Sequence, residues 1–261
     1  MWDTLIINPM VNTLLGIYSV LSNALGPENM FGLAIIFFTI LIRLITYPLT
    51  IQQMKSAQGM QEMQKSKKWQ EIQKKYKGDR EKLAQEQMAM YKEMGVSPFG
   101  SCLPTIIQFP IIIGLYQAII RALAVTPTQL HDLSKHIYPF INGPALIPLN
   151  NQFLWMNLSQ PERLYLFGLG IGIPTLAIIV VITTYMQSKL MTPPAQPGEQ
   201  GAQISQAMNL YMPFLMGWLA WSFSSALALY FVTSNVIGIL QYAAMGKVNW
   251  RNLLPSFGKK S

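Results

Sequence analysis

The chain has 261 residues, of which 51% are hydrophobic and only 11% are charged, and its formal net charge is +8. Soluble domains carry about 25% charged residues, so this composition argues against a water-soluble enzyme. Its hydrophobicity also excludes a disordered chain. The single cysteine, Cys102, excludes an intrachain disulfide framework and a multi-cysteine metal site.

The first segment, residues 1–30, is predicted to form an amphipathic helix. Apolar residues recur at spacings of three and four from Ile7 to Leu25, polar residues such as Asn12 lie on the other side, and Gly26-Pro27 ends the pattern. This pattern favours a helix that lies in the outer membrane interface. A sixth transmembrane span is the alternative, which we disfavour because the polar stripe would then face lipid.

Five apolar runs follow, and about 20 apolar residues are enough for a helix to cross a bilayer. The fourth run is short and would need a tight hairpin or local thinning of the membrane. The predicted fold class is therefore an all-α integral membrane protein with five transmembrane helices. These predicted spans are residues 31–50, 98–125, 164–188, 208–222 and 226–246.

Residues 51–97, between the first two runs, are predicted to form a cytoplasmic helical hairpin broken at Gly78-Asp79. The segment is rich in Gln, Lys, Glu and Met, which are good helix formers. Three methionines, Met54, Met60 and Met63, lie nearest the predicted membrane surface. Since methionine adapts to varied apolar partners, we interpret them as candidates for substrate capture, with packing inside the hairpin as the alternative.

The distribution of Lys and Arg predicts how the chain faces, because cytoplasmic loops carry an excess of both. Ten of the 19 fall in the hairpin, four lie in a basic tail at residues 247–261, and Lys189 opens a loop at residues 189–207. The outer loop at residues 126–163 holds Lys135 and Arg163. We therefore predict an outside N-terminus and a cytoplasmic C-terminus.

Arg43 lies well inside the first predicted span, where an arginine costs about 2.5–3.5 kcal/mol on insertion scales. The five runs contain no Asp or Glu. Three interpretations follow. The side chain extends to the inner headgroups, sits in a hydrated cavity, or binds an anionic ligand.

Other polar side chains gather in the cytoplasmic halves of the predicted spans, and three of them share the helical face of Arg43. We interpret this one-sided distribution as a hydrophilic groove, open to the cytoplasm, that binds a polar polypeptide segment. Hydrogen bonding between helices is the ordinary alternative. The predicted binding residues beside Arg43 are Thr39, Thr46, Thr50, Gln108, Gln187, Ser234 and Asn235.

The groove lacks the residues of an enzyme. No acid pair lies in the spans, His131 and His136 have no accompanying acid cluster, and no phosphate-binding glycine motif occurs. We therefore predict no catalytic residue, no cofactor and no metal site. Two rivals to a polypeptide-binding groove remain, an anion transporter or channel that binds at Arg43 and a non-catalytic membrane anchor or receptor. Internal repeats, which are common in transporters, are not found.

Four stretches carry a resemblance to a known family: FGLAII at 31–36, RLITYPLT at 43–50, YKEMGVSPFGSCLP at 91–104 and LYFVTSN at 229–235. On these the chain resembles the YidC/Oxa/Alb family of membrane protein insertases. The resemblance implies a short bacterial form with a five-helix core, and it places the family's groove arginine at Arg43.

The same resemblance implies an insertase and chaperone of the bacterial inner (plasma) membrane, whose substrates are nascent membrane proteins. Polar segments would cross through the groove, and their helices would leave sideways into the lipid bilayer. The Sec translocon and the translating ribosome are candidate partners. Sequence-specific binding of nucleic acid is not expected.

Overall fold

The computed structural model describes residues 1–76, 78–95, 103–123, 126–139, 141, 149–165, 172–191 and 200–246. Over these residues the protein is mostly helical, with two short antiparallel strand pairs. The chain divides into two compact units. The first unit is Met1–Arg43 with Gly114–Ser261, and the second unit is Leu44–Ile113.

The described elements are a π-helical turn at Asp3–Ile7, then α1 (Asn8–Leu25), α2 (Met30–Ile45), α3 (Tyr47–Lys65), α4 (Lys67–Lys75), α5 (Arg80–Glu93), α6 (Leu103–Ala122), α7 (Pro127–His136), β1 (Gln152–Phe153), β2 (Met156–Asn157), β3 (Leu164–Tyr165), β4 (Gly172–Ile173), α8 (Thr175–Met191), α9 (Gln200–Ser222) and α10 (Ser225–Ala244).

The N-terminal helix differs from the predicted amphipathic pattern, because its polar residue Asn12 faces the protein interior. Asn12 is 3% exposed, donates to the backbone oxygen of His136 at 2.9 Å and accepts from the backbone nitrogen of Tyr138 at 2.7 Å. The exposed side chains include Leu5 and Val20. Because Asn12 faces protein, a transmembrane position of this helix would not expose Asn12 to lipid, and the interfacial position stays a prediction.

Two described helical segments, Asp3–Leu25 and Ser225–Ala244, are each long and apolar enough to cross a membrane. Two bent pairs, Met30–Ile45 with Tyr47–Ser56 and Gln108–Ala122 with Pro127–His136, raise the number of candidates to four if each pair is one span. The protein is thus a mostly helical membrane protein, and the arrangement of exactly five spans stays a prediction. The break after Ile45 is explained by Pro48, since proline favours the first turn of a new helix.

The third and fourth predicted spans begin elsewhere than expected. Residues 164–165 pair with Gly172 and Ile173 as strands, and α8 starts only at Thr175, after Pro174. Glycine and proline are poor helix formers, which explains the late start. The α9 helix begins at Gln200 rather than at residue 208. Residues 200–207 include Gln and Ala, which are good helix formers but too polar as a segment to extend the predicted apolar run.

The predicted hairpin contains three described helices instead of two. Ser66 ends α3 and caps α4, since its side chain accepts from the backbone nitrogen of Trp69 at 3.2 Å. Residue 77 lies outside the described residues, and α5 begins after Asp79, whose side chain accepts from the backbone nitrogen of Lys82. A buried core then joins the helices through Met63, Trp69, Met90 and Tyr91, with Ile72 and Leu83 packed against it.

The predicted outer loop contains ordered structure in its described part. The α7 helix starts with a capping box formed by Thr126 and Gln129. Further on, β1 pairs with β2, with Phe153 opposite Met156. We call residues 151–162 the loop junction, because this segment contacts the beginnings of three helices.

The loop junction contacts α2 through Asn29 and Gly32. The Asn29 side chain accepts from the backbone nitrogen of Leu154 at 2.7 Å. Gly32 lies directly under the ring of Phe153, so closely that any side chain at position 32 would overlap the ring. The strand pair therefore packs on the first turn of α2 only because position 32 has no Cβ.

The same junction binds the starts of α8 and α10. Glu162 is 7% exposed and accepts from the Trp155 indole at 3.2 Å, from the Thr175 hydroxyl at 2.8 Å and from the Leu176 backbone nitrogen at 3.0 Å. A carboxylate at a helix N-terminus is also favoured by the helix dipole. At α10, Ser225 donates its backbone N–H to the oxygen of Gln160 at 2.8 Å.

Candidate functional site

Arg43 lies in the last turn of α2, and its guanidinium reaches α10. Its Nε and Nη2 atoms donate to the hydroxyl of Ser234 at 2.9 and 2.6 Å. Gln241, two turns further along α10, donates to the backbone oxygen of Arg43 at 3.3 Å. That oxygen belongs to the last turn of α2, so Gln241 adds a side-chain hydrogen bond at the end of α2.

The Ser234 side chain holds the guanidinium in a protected position. Ser234 is 4% exposed, and its oxygen accepts from two nitrogens of the same side chain. Hydrogen bonds from a charged donor are stronger than neutral ones. A hydroxyl carries no charge, however, so these bonds orient Arg43 without neutralising its positive charge.

A second polar contact joins α8 to α10 one residue further on. Asn235 is buried and donates through its amide to the hydroxyls of Thr183 at 3.0 Å and Thr184 at 2.8 Å. Helix α8 packs against both α9 and α10. Neighbouring positions of α10 therefore contact two different helices, with Ser234 bonded to α2 and Asn235 bonded to α8.

Gly238 is the point where the side chains of α2 and α8 converge on α10. A Cβ atom at this position would lie 2.7 Å from Nε2 of Gln187 and 3.6 Å from Nη2 of Arg43. The sequence interpretation missed Gly238. A signal was present, because residue 238 is four positions after Ser234 and so lies on the same helical face.

The first unit brings together four of the predicted binding residues, and Thr39 is used differently. Thr39 is fully buried and donates to the backbone oxygen of Ile35 at 2.6 Å within its own helix. The four residues are Arg43, Gln187, Ser234 and Asn235, and we call them, with Gly238, the polar site.

The other predicted polar residues belong to the second unit. Thr50 donates to the backbone oxygen of Thr46 at 3.1 Å, which is again a bond within one helix. Gln108 is half-buried in α6. Their part in substrate binding stays a prediction.

The methionines of the hairpin differ in burial, which the sequence did not predict. Met63 is fully buried in the core of the second unit, and Met54 is 3% exposed, so in this structure both side chains pack. The side chain of Met60 lies outside the described part of the chain. On α5, Met88 is 45% exposed, whereas Met90 is buried in the core of the second unit.

Comparisons with known proteins agree with the fold. The family model described as 60Kd inner membrane protein matches residues 20–251. The chain is 32% identical over 252 residues to the membrane protein insertase YidC of Oceanobacillus iheyensis, which covers 94% of this chain and 84% of the relative. It is 33% identical over 232 residues to the membrane protein insertase YidC of Clostridium tetani, with 88% of each chain covered.

The chain belongs to the YidC/Oxa/Alb family of membrane protein insertases. A crystal structure described as an active YidC insertase with its first transmembrane domain resolved shares the fold, with a TM-score of 0.54 at 24% identity. It covers 90% of this chain, which in turn spans 46% of that longer chain.

The family resemblance carried by the four sequence stretches is therefore confirmed. The chain is a membrane protein insertase of the bacterial inner-membrane type, and insertases of this family are not enzymes.

Proposed function

We propose that the chain inserts membrane proteins by passing their short polar segments through a hydrophilic groove centred on Arg43. The observation that carries the proposal is the guanidinium of Arg43 held on the hydroxyl of Ser234. Opposite charges attract, so in this proposal the guanidinium binds carboxylates of the passing segment.

Hydration of the groove is supported by Gln241. Its Oε1 atom is buried without a hydrogen-bond partner among the described residues, while its amide nitrogen is used by Arg43. Buried acceptors are normally satisfied by protein or by ordered water. A water-accessible groove supplies such donors, and it shortens the apolar distance that a polar segment crosses.

In this mechanism each polar-site residue has a distinct part. Arg43 attracts the carboxylates of the segment, and Ser234 orients the guanidinium between encounters. Gln187 of α8 and Asn235 of α10 offer neutral polar groups where these two helices meet. The apolar helices of the substrate leave sideways into lipid.

The same proposal includes the orientation and the partners. The N-terminus lies outside and the basic tail lies in the cytoplasm, so the polar site opens toward the side where nascent chains arrive. Nascent membrane proteins are the substrates, which the insertase also helps to fold as a chaperone. The Sec translocon and the translating ribosome are partners, and Met60 of the hairpin receives the substrate.

The test compares Arg43→Gln and Arg43→Lys in proteoliposomes, using substrates whose translocated segment is acidic or neutral. We expect Arg43→Gln to lower insertion of the acidic segment about tenfold, which corresponds to about 1.4 kcal/mol. Arg43→Lys should retain most of the activity, since it keeps the charge. Insertion of the neutral segment should change little.

Arg163→Gln is the matched control, because Arg163 is an exposed arginine of the same unit. It should insert both substrates normally. Equal insertion of acidic and neutral segments by wild type and Arg43→Gln would overturn the proposed role of Arg43. Flux of small anions through the purified protein that disappears in Arg43→Gln would favour an anion channel instead.

A further inference from the structure

Gly238 lies in the interior of α10, which is an unfavourable position for glycine. Glycine is among the weakest helix formers, and alanine would be preferred there. Gly238 is buried, four residues after Ser234 and three before Gln241, both of which bond to Arg43. Its presence therefore calls for a steric explanation.

The surroundings of Gly238 provide one. Small residues in membrane helices usually allow two backbones to approach each other. Here the nearest atoms beyond α10 are the polar ends of two side chains, the amide of Gln187 and the guanidinium of Arg43. The missing Cβ thus makes room for polar groups that come from two different helices.

We propose that Gly238 determines the specificity of the polar site. The space over its Cα sets how closely Gln187 and Arg43 approach α10, and thereby the room that remains for a carboxylate of the translocated segment. This inference rests on the proposed function, because it concerns the same groove and the same substrates.

Two substitutions at Gly238 distinguish a loss of space in the polar site from a loss of folding. The methyl group of Gly238→Ala would displace the amide of Gln187, from which it would lie 2.7 Å, but would only touch Arg43 at 3.6 Å. Gln187 can move because the contact involves the end of its flexible side chain. Gly238→Ala should therefore fold, whereas Gly238→Val should also displace the guanidinium.

The matched control is Gly16→Ala in α1, because a Cβ at Gly16 would meet nothing within 4 Å. Both alanine variants replace a helical glycine, so each should unfold at the same temperature as the wild type or at a higher one. The full-length variants are measured in proteoliposomes for thermal unfolding and for insertion of the acidic and neutral segments.

We expect Gly238→Ala to lower insertion of the acidic segment at least threefold and Gly238→Val to lower it further, with the neutral segment inserted as by wild type. Gly16→Ala should change neither. Adding Gln187→Asn to Gly238→Ala shortens the displaced side chain while keeping its amide, and should restore part of the lost insertion.

Two results would overturn the inference. One is wild-type insertion of the acidic segment by Gly238→Ala and Gly238→Val while Arg43→Gln is impaired, which would leave the proposed function intact. The other is a lower unfolding temperature with an equal loss for both segments, which would assign Gly238 to packing alone. Failure of the proposed function is distinguished by an unimpaired Arg43→Gln.

Discussion

The first unit contains two polar regions that treat charge in different ways. At the loop junction, the carboxylate of Glu162 accepts three hydrogen bonds, one of them from the backbone at the start of α8. At the polar site, the guanidinium of Arg43 donates to the hydroxyl of Ser234. The first arrangement fixes a helix end, and the second orients a charge while leaving it un-neutralised by that contact.

This difference indicates which of the two regions can exchange its hydrogen-bond partners. Bonds of the loop junction to Leu176 and Ser225 involve backbone groups, which move only if a helix moves. Bonds of the polar site join the ends of side chains, which change rotamers easily. The loop junction therefore holds helix ends together, and the exchangeable bonds of the polar site support the proposal that substrate binds there.

The largest expected effect is on the stability that Glu162 provides. Glu162→Ala would leave the indole of Trp155, the hydroxyl of Thr175 and the N–H of Leu176 without their acceptor. Because buried donors without partners are costly, we expect a loss of about 3 kcal/mol, measured as a lower unfolding temperature in detergent.

The control for Glu162 is Glu28→Ala, since Glu28 is exposed. It should unfold like the wild type. An unchanged unfolding temperature for Glu162→Ala would show that the loop junction does not hold the helix ends, and the comparison would fail.

A smaller effect is expected at Gly32, on the other side of the loop junction. A methyl group in Gly32→Ala would overlap the buried ring of Phe153, and overpacking of this kind costs about 2 kcal/mol. Thermal unfolding measures the loss. Combining Gly32→Ala with Phe153→Leu should recover part of it, and an additive loss in the double variant would contradict direct contact between these positions.

The smallest effect is expected at Asn235. Hydrogen bonds between membrane helices contribute about 0.6 kcal/mol each, so Asn235→Ala should lose about 1 kcal/mol through its two bonds to α8. The neighbouring exposed Val236→Ala is the control for helix propensity. A loss of stability as large as that of Glu162→Ala would show that the polar site is as rigid as the loop junction.

Arg43 could be predicted from the sequence because a charged residue inside an apolar run is visible without any structure. Ser234 and Asn235 could also be predicted, because the bounds of the predicted spans give each residue's approximate depth in the membrane. Gly238 was missed, because its meaning depends on which side chains of α2 and α8 arrive opposite it. That register is set by packing between helices and is not encoded in any local pattern.

The hairpin shows the same limit. Serine is preferred at helix caps, so Ser66 was a readable cap, but the run of helix formers around it masked the break. In the structure its side chain accepts from the backbone nitrogen of Trp69. Met90 entered the core beside Met63 while Met88 stayed exposed, because Met88 and Met90 are two positions apart on α5 and so lie on different sides of that helix. The strand pair at Phe153 left no alternating pattern, since each strand has only two residues.

The most direct test of the central claim is site-specific photo-crosslinking to a stalled nascent membrane protein. A photoreactive residue is placed at Gln187 in the polar site or at Leu154, an exposed position of the loop junction. We expect a crosslink from position 187 that strengthens with an acidic translocated segment, and none above background from position 154. Crosslinking from 154 with none from 187 would contradict it.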